Sequence, residues 1–202
     1  MKIICIGRNY AKHAAEMNAE KPDEPIFFLK PDTALLKEGD LFYPDFTNDL
    51  HYEVELVVKI SKAGKHIDRE FAANYYDEIG LGIDFTARDI QKICKEKGLP
   101  WEKAKAFDQS AVISEKFIPK SALNLNSLNF SLKLNDHIVQ EGNSSDMLYS
   151  IDELIEYISK YITLRTGDLI YTGTPEGVGP VSIGDAIVGK IEDEEMFRLA
   201  VK

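Results

Sequence analysis

A chain of 202 residues, 44% hydrophobic and 29% charged, has enough apolar content to bury one compact core, which argues against the disordered and fibrous classes. Its formal net charge of -10 and isoelectric point near 4.9 exclude a nucleic-acid backbone as partner, because such a site needs a positive footprint. No stretch approaches the roughly 20 apolar residues of a membrane span, and Cys5 and Cys94 have neither the number nor the spacing of a disulfide framework. The opening Met1-Lys-Ile-Ile-Cys-Ile6 lacks the length and cleavage region of a signal peptide. The expectation is a single compact domain, residues 1–202, with free thiols, soluble in the cytoplasm.

Residues 2–6 read as a first strand, which Gly7-Arg-Asn-Tyr10 turns into a polar, helix-compatible segment from Ala11 to Met17. Pro22, Pro25 and Pro31 bracket an extended apolar piece, Ile26-Phe-Phe-Leu29. Leu50 to Ser61 reads as one strand; on it Glu53 and Glu55 share a face, while Tyr52, Val54, Leu56, Val58 and Ile60 take the other. Helical periodicity covers Arg69 to Asp77, Thr86 to Lys97 and Ile151 to Tyr161, the last with a core stripe of Ile151, Leu154, Ile155 and Ile158. Between the first two, Ile79-Gly-Leu-Gly-Ile83 predicts a buried strand ending in Asp84, and Thr86, with Asp89 three residues on, fits the helix N-cap. Further strands are expected at Ser131–Leu134, His137–Val139, Leu169–Thr172, Ala186–Ile191 and Met196–Val201. Strands outnumber helices without alternating regularly, so the expected class is α+β with a largely antiparallel or mixed sheet.

Glu53, Glu55 and Asp84 are the residues from which most can be argued. Two carboxylates about 4 Å apart repel by roughly 4 kcal/mol at an effective dielectric near 20, and a divalent cation turns that repulsion into attraction. All-oxygen ligands suit magnesium, manganese or calcium, not zinc. The plainer alternative is an amphipathic strand that shows His51, Glu53, Glu55 and Lys59 to water. The apolar approach to Asp84 weighs against it, because a buried carboxylate needs a partner.

Four other groups could carry chemistry. His13 and Glu16, three apart on a helical turn, could form an oriented general base, or be a chance pair on an exposed face. Arg88 and Gln91, at the start of the helix after Asp84, could grip a carboxylate together with the helix N-terminus, or form a surface pair. Lys103 and Lys105 flank Ala104 beyond the lone Trp101; a lysine beside a metal-bound anion would stabilise developing negative charge, and otherwise these are solvated side chains. Tyr171-Thr-Gly-Thr-Pro-Glu-Gly-Val-Gly-Pro180 forces an irregular loop whose NH groups and Thr hydroxyls could cradle an anion, or serve only as a tight connection; it is neither a Walker A loop nor a dinucleotide fingerprint.

Taken in order, Gly7-Arg-Asn-Tyr10 with His13-Ala-Ala-Glu16, Phe28-Leu-Lys-Pro31, Glu53-Val-Glu55, Asp84-Phe-Thr-Ala-Arg-Asp89, Lys97-Gly-Leu-Pro-Trp101 and Thr172-Gly-Thr-Pro-Glu-Gly-Val-Gly179 resemble the fumarylacetoacetate hydrolase family almost end to end, in particular its short branch of acylpyruvate hydrolases and oxaloacetate decarboxylases. The resemblance implies a single catalytic domain over residues 1–202, a strand-rich mixed β-roll or barrel with peripheral helices, and a homodimer. It implies magnesium, or manganese, on Glu53, Glu55 and Asp84, with calcium an acceptable substitute in a crystal. It implies substrate contacts from Arg88, Gln91, Lys105 and Thr174, with Lys30 near the site, and a lid carrying His13 and Glu16. The reaction implied is cleavage of the C3–C4 bond of a 2-oxo acid through a pyruvate enolate, with His13, Glu16 and Lys105 as catalytic residues. Alternatives are isomerisation of a 2-oxo-diene-dioate and a catalytically silent member that binds metal or oxo acid.

Overall fold

The computed structural model describes residues 1–17 and 20–202. Its largest sheet has the strand order Ile26–Lys30, Ile3–Gly7, Leu169–Tyr171, Val54–Ile60, Tyr76–Asp84, Ala111–Ile113 and Leu35–Leu36, with Ile118–Pro119 also paired to Tyr76–Asp84. It is mixed: Ile3–Gly7 runs parallel to Leu169–Tyr171 and Leu35–Leu36 parallel to Ala111–Ile113, and the remaining pairs are antiparallel. A second, antiparallel sheet has the order His137–Asn143, Asn129–Leu134, Ala186–Ile191 and Glu194–Ala200. A small third one joins Gly179–Pro180, Leu50–Tyr52 and Thr86–Ala87. The α-helices are short, Ile151–Tyr161 being held at its start by a reciprocal Ser150–Glu153 cap. This is the strand-rich, mixed α+β class that the sequence predicts.

Period-two alternation decides what each face of the large sheet does. Val54, Leu56, Val58 and Ile60, with Ile79, Leu81 and Ile83 and with Ile4 and Ile6, enter the main core, where they meet Phe130, Leu132, Ile187 and Ile191 of the second sheet. The opposite face carries Ile3, Cys5, Val57, Ala111 and Tyr171 in a smaller apolar cluster. Glu55 and Asp84 sit on that second face: Glu55 pairs with Gly82, and Asp84 lies two residues beyond it. Gly82 is required because a Cβ there would stand 2.6 Å from the Tyr171 ring, which is pinned by its hydroxyl donating to Val112 O (2.6 Å).

Three expectations need correction. Leu50 to Ser61 is not one strand: Leu50–Tyr52 belongs to the small sheet and Val54–Ile60 to the large one, with Glu53 at the break. The ladder is interrupted because Val54 N donates to the Gln140 side chain (2.9 Å) instead of to a neighbouring strand. The helix expected over Arg69 to Asp77 ends at Ala72, a 3-10 turn follows, and Tyr76 and Asp77 open the strand Tyr76–Asp84; burial of the Tyr76 ring overrides the helical pattern. Thr86 does not cap a helix. It pairs with His51 in the small sheet, its hydroxyl donates to Asp84 O (3.3 Å), and the helix Arg88–Lys97 starts from Ala87 without a side-chain cap. Asp89 instead receives Thr47 Oγ1 (2.6 Å) and Asn48 N (3.1 Å), tying the helix to the preceding loop.

Candidate metal and substrate site

Glu53, Glu55 and Asp84 are all buried, and each offers a carboxylate oxygen within 4.8 Å of the others. That excludes the water-facing alternative. Backbone pairing brings them together: Asp84 N donates to Glu53 O (2.9 Å), one step past the Val54–Ile83 pair and two past Glu55–Gly82. Lys105, buried on the short helix Glu102–Lys105, donates to Glu53 Oε2 (2.8 Å) and Asp84 Oδ2 (2.7 Å). Arg88 Nη2 donates to Glu53 Oε1 (2.6 Å) and Nη1 to Gln91 Oε1 (2.8 Å), while Arg88 Nε is buried without a hydrogen-bond partner among the described residues.

Electrostatics separate the three acids. Burial opposes ionisation of Glu53, but Lys105 and Arg88 outweigh it and hold this carboxyl well below the ordinary range. Among the described residues no cation contacts Glu55; burial, then Asp84 and Glu53, push its pKa well up. Burial acts against the charge on Lys105 too, and Asp84 and Glu53 more than restore it, raising its pKa. Asp84 Oδ1 is ion-paired with Lys30 Nζ at 2.6 Å, and Lys30 also donates to Ser110 O (2.6 Å) and Phe85 O (3.3 Å). An oxygen-only set of three buried acids, one of them without a counter-charge among the described residues, fits a hard divalent cation such as magnesium, manganese or calcium.

The cavity over these acids is also lined by Arg8, His13, Phe28, Lys95, Trp101 and Thr174. His13 Nδ1 meets Glu16 Oε2 at 3.0 Å, and the Glu16 carboxylate accepts from Gly177 N (3.1 Å), so the helix Ala11–Glu16 is latched to the glycine-rich loop. The NH groups of that loop hold the site's own carboxylates: Gly173 N donates to Glu55 Oε2 (2.7 Å). Thr174 accepts from Gln140 Nε2 (2.9 Å), which makes Gln140 the link between this loop and the strand break beside Glu53. Lys30 stands behind Asp84 instead of lining the cavity. Eight of the ten candidates picked out in the sequence line this cavity, and Glu16 and Lys30 each touch a residue that does; three supports were missed. Asn9 donates to Thr172 O (2.7 Å) and Tyr149 O (3.0 Å) and accepts from Tyr149 N (2.9 Å); Gln140 is the second, and Ser110, holding Lys30 and Lys105, the third. Asn9 lay inside a motif already singled out, but nothing local signals Gln140.

The family model for the fumarylacetoacetate (FAA) hydrolase C-terminal region matches residues 2–200. The oxaloacetate tautomerase FAHD1, mitochondrial, of Mus musculus is 45% identical over 202 residues, covering 99% of this chain and 91% of the relative. An oxaloacetate decarboxylase, mitochondrial, of Dictyostelium discoideum is 44% identical over 189 residues, covering 92% of this chain and 86% of the relative. Among solved structures, fumarylpyruvate hydrolase of Pseudomonas aeruginosa in complex with Mn2+ and pyruvate superposes with a TM-score of 0.94 at 38% identity, over 100% of this chain and 89% of that one. With a buried acid triad, a latched His–Glu pair and these matches along nearly its whole length, the chain belongs to the fumarylacetoacetate hydrolase family.

Proposed function

We propose that this protein is a divalent-metal-dependent enzyme that cleaves the C3–C4 bond of 2-oxo acids, by hydrolysis of acylpyruvates, decarboxylation of oxaloacetate, or both. The observation that carries the reading is the meeting of Glu53, Glu55 and Asp84 with the His13–Glu16 pair around one cavity. Magnesium or manganese held by the three acids would supply Lewis-acid polarisation of the substrate's keto group; the manganese in the Pseudomonas aeruginosa neighbour supports this choice. Arg88 and Gln91 bind the substrate carboxylate, with the unpaired Arg88 Nε as a donor. Lys105 offsets negative charge as it develops on the pyruvate fragment, and Thr174 orients the substrate from the glycine-rich loop.

In hydrolysis, His13 takes a proton from water as the water oxygen bonds to the distal carbonyl carbon. Glu16 on Nδ1 stabilises the resulting imidazolium and leaves Nε2 as the working nitrogen. The C3–C4 bond then breaks, its electron pair passes to the pyruvate fragment, and the proton returns to C3, giving pyruvate and a carboxylic acid. Decarboxylation needs no water attack, only alignment of the departing carboxylate. A second reading, keto–enol tautomerisation of oxaloacetate, draws on the same proton-carrying pair and on the name of the mouse relative. The proposal also includes one catalytic domain over residues 1–202, a homodimer, and a cytoplasmic location, the last supported by two free, buried cysteines.

The test is turnover of acetylpyruvate and oxaloacetate by metal-stripped protein before and after Mg²⁺ is added, with the free-metal background subtracted. Metal-restored turnover of either is expected, and the ratio of rates distinguishes hydrolysis from decarboxylation. Specific metal binding with neither acid consumed would overturn the cleavage reading; tautomerisation is followed in parallel by loss of enol absorbance.

A further inference from the structure

Gln140 stands behind the cavity wall, on the strand His137–Asn143 of the second sheet, and is only 2% exposed. The register of that strand against Asn129–Leu134 slips beside it: Leu132 faces Gln140 and Lys133 faces Ile138, which leaves Val139 as an extra residue. Such a bulge re-aims the neighbouring side chain, and here the Gln140 side chain reaches across to Val54 of the large sheet. The glycine-rich loop packs on the same bulge, where a Cβ on Gly177 would collide with Val139 O.

The Gln140 amide is held in one orientation. Its Oε1 accepts from Val54 N (2.9 Å), while Nε2 donates to Pro175 O (3.0 Å) and to Thr174 Oγ1 (2.9 Å). Turned end for end, it would set its NH2 against the Val54 NH and its oxygen against the Pro175 carbonyl, donor against donor and acceptor against acceptor. Val54 and Pro175 thereby decide what Thr174 meets. The Thr174 hydroxyl accepts from Gln140, so its own proton points elsewhere, and it makes no other hydrogen bond among the described residues. Thr174 lines the cavity over the three acids.

We infer that Gln140 is a positioning residue that fixes the direction of the Thr174 hydroxyl, so that its proton is presented to the cavity as a donor to an oxygen of the bound 2-oxo acid. This rests on the 2-oxo-acid reading above. A threonine hydroxyl left to itself rotates and either donates or accepts; an anionic oxygen needs a donor, and one aimed before the ligand arrives needs no reorientation on binding. Gln140→Glu reverses the polarity at nearly constant shape. A carboxylate at this position still accepts from Val54 N but has no proton to give, so it draws the Thr174 proton away from the cavity.

Pyruvate is the probe, because it is the fragment common to both proposed cleavages. Its binding to manganese-saturated protein is measured by calorimetry in wild type, Thr174→Ser, Thr174→Val, Gln140→Glu and the double variant Gln140→Glu/Thr174→Val. Thr174→Ser is expected to bind as wild type does, and Thr174→Val and Gln140→Glu each about tenfold more weakly. The double variant should bind no more weakly than Thr174→Val, because both changes remove the same donor. Losses that multiply in the double variant, as a purely structural Gln140 requires, or wild-type affinity in Gln140→Glu, would overturn the assignment. If Gln140→Glu does not fold, Gln140→Met carries the same cycle without adding charge: the loss from Thr174→Val must then be smaller in that background than in wild type, and an equal loss overturns the assignment. Wild-type binding untouched by Thr174→Val would bring down this assignment alone, whereas no pyruvate binding by wild type together with no metal-dependent turnover would bring down the 2-oxo-acid reading as well.

Discussion

At the residue scale, the three acids are unequal in what they hold when metal is removed. Asp84 is the common partner of two buried ammonium groups, Lys30 and Lys105. Asp84→Ala therefore abolishes manganese binding and also destabilises the metal-free protein by about 3–5 kcal/mol, because it leaves buried cations uncompensated. Glu55 has no such partner and is repelled by its neighbours, so Glu55→Gln removes metal binding while the metal-free protein keeps, or slightly gains, stability. Urea denaturation of the two variants without metal separates them; equal destabilisation would refute the different roles given to the two acids. Since burial, Asp84 and Glu53 favour the protonated form of Glu55, metal binding displaces a proton, and affinity weakens as pH falls. Calorimetry in two buffers of different ionisation heat reads that proton directly, and identical heats would show that none is released.

At the element scale, the site depends on two attachments between distant segments. Asn9 joins the turn after the first strand to Thr172 and Tyr149, and it is fully buried. Asn9→Ala is expected to cost about 3 kcal/mol, since three hydrogen bonds are lost and their buried partners are left unpaired, and to weaken metal affinity through the Gly173 loop that holds Glu55. The second attachment is the latch from Glu16 to Gly177. The cavity beside it is about 40 Å³, room for roughly three water molecules. His13→Ala should lower hydrolytic kcat by about 10²–10⁴-fold with manganese affinity retained; an equal loss of metal affinity would mean that His13 supports the metal site instead. The sequence made the acids legible because alternation places Glu55 opposite the apolar set Val54, Leu56 and Val58, and because Asp84 follows an apolar run. It did not make legible the parallel pairing of Ile3–Gly7 with Leu169–Tyr171, which sets Asn9 beside Thr172 across 163 residues of chain. Nor did it reveal the break at Glu53, which is imposed by the Gln140 side chain from another sheet. Both are long-range events with no local pattern, whereas the misplaced end of the helix beginning at Arg69 is a local preference overridden by burial of Tyr76.

At the scale of the whole molecule, the acid cluster is held by strands and a loop far apart in the chain, so metal binding reaches far beyond its ligands. Asp84 belongs to the long strand Tyr76–Asp84, which pairs with Val54–Ile60, Ala111–Ile113 and Ile118–Pro119; Glu55 is held by the loop after Leu169–Tyr171. Unfolding separates all three carboxylates, and the unfolded chain has no comparable site. A cation that binds only the native state stabilises it by about 2.7 kcal/mol at 100 times its dissociation constant. For a chain of this size each kcal/mol moves the midpoint by roughly 2–4 °C, so manganese at that excess should raise Tm by about 5–10 °C. Glu55→Gln is the control, because the variant keeps the fold but loses the site. If manganese shifted wild type and Glu55→Gln alike, the cation would be acting on the surface charge of an acidic protein, and the buried triad would have no claim to be its binding site.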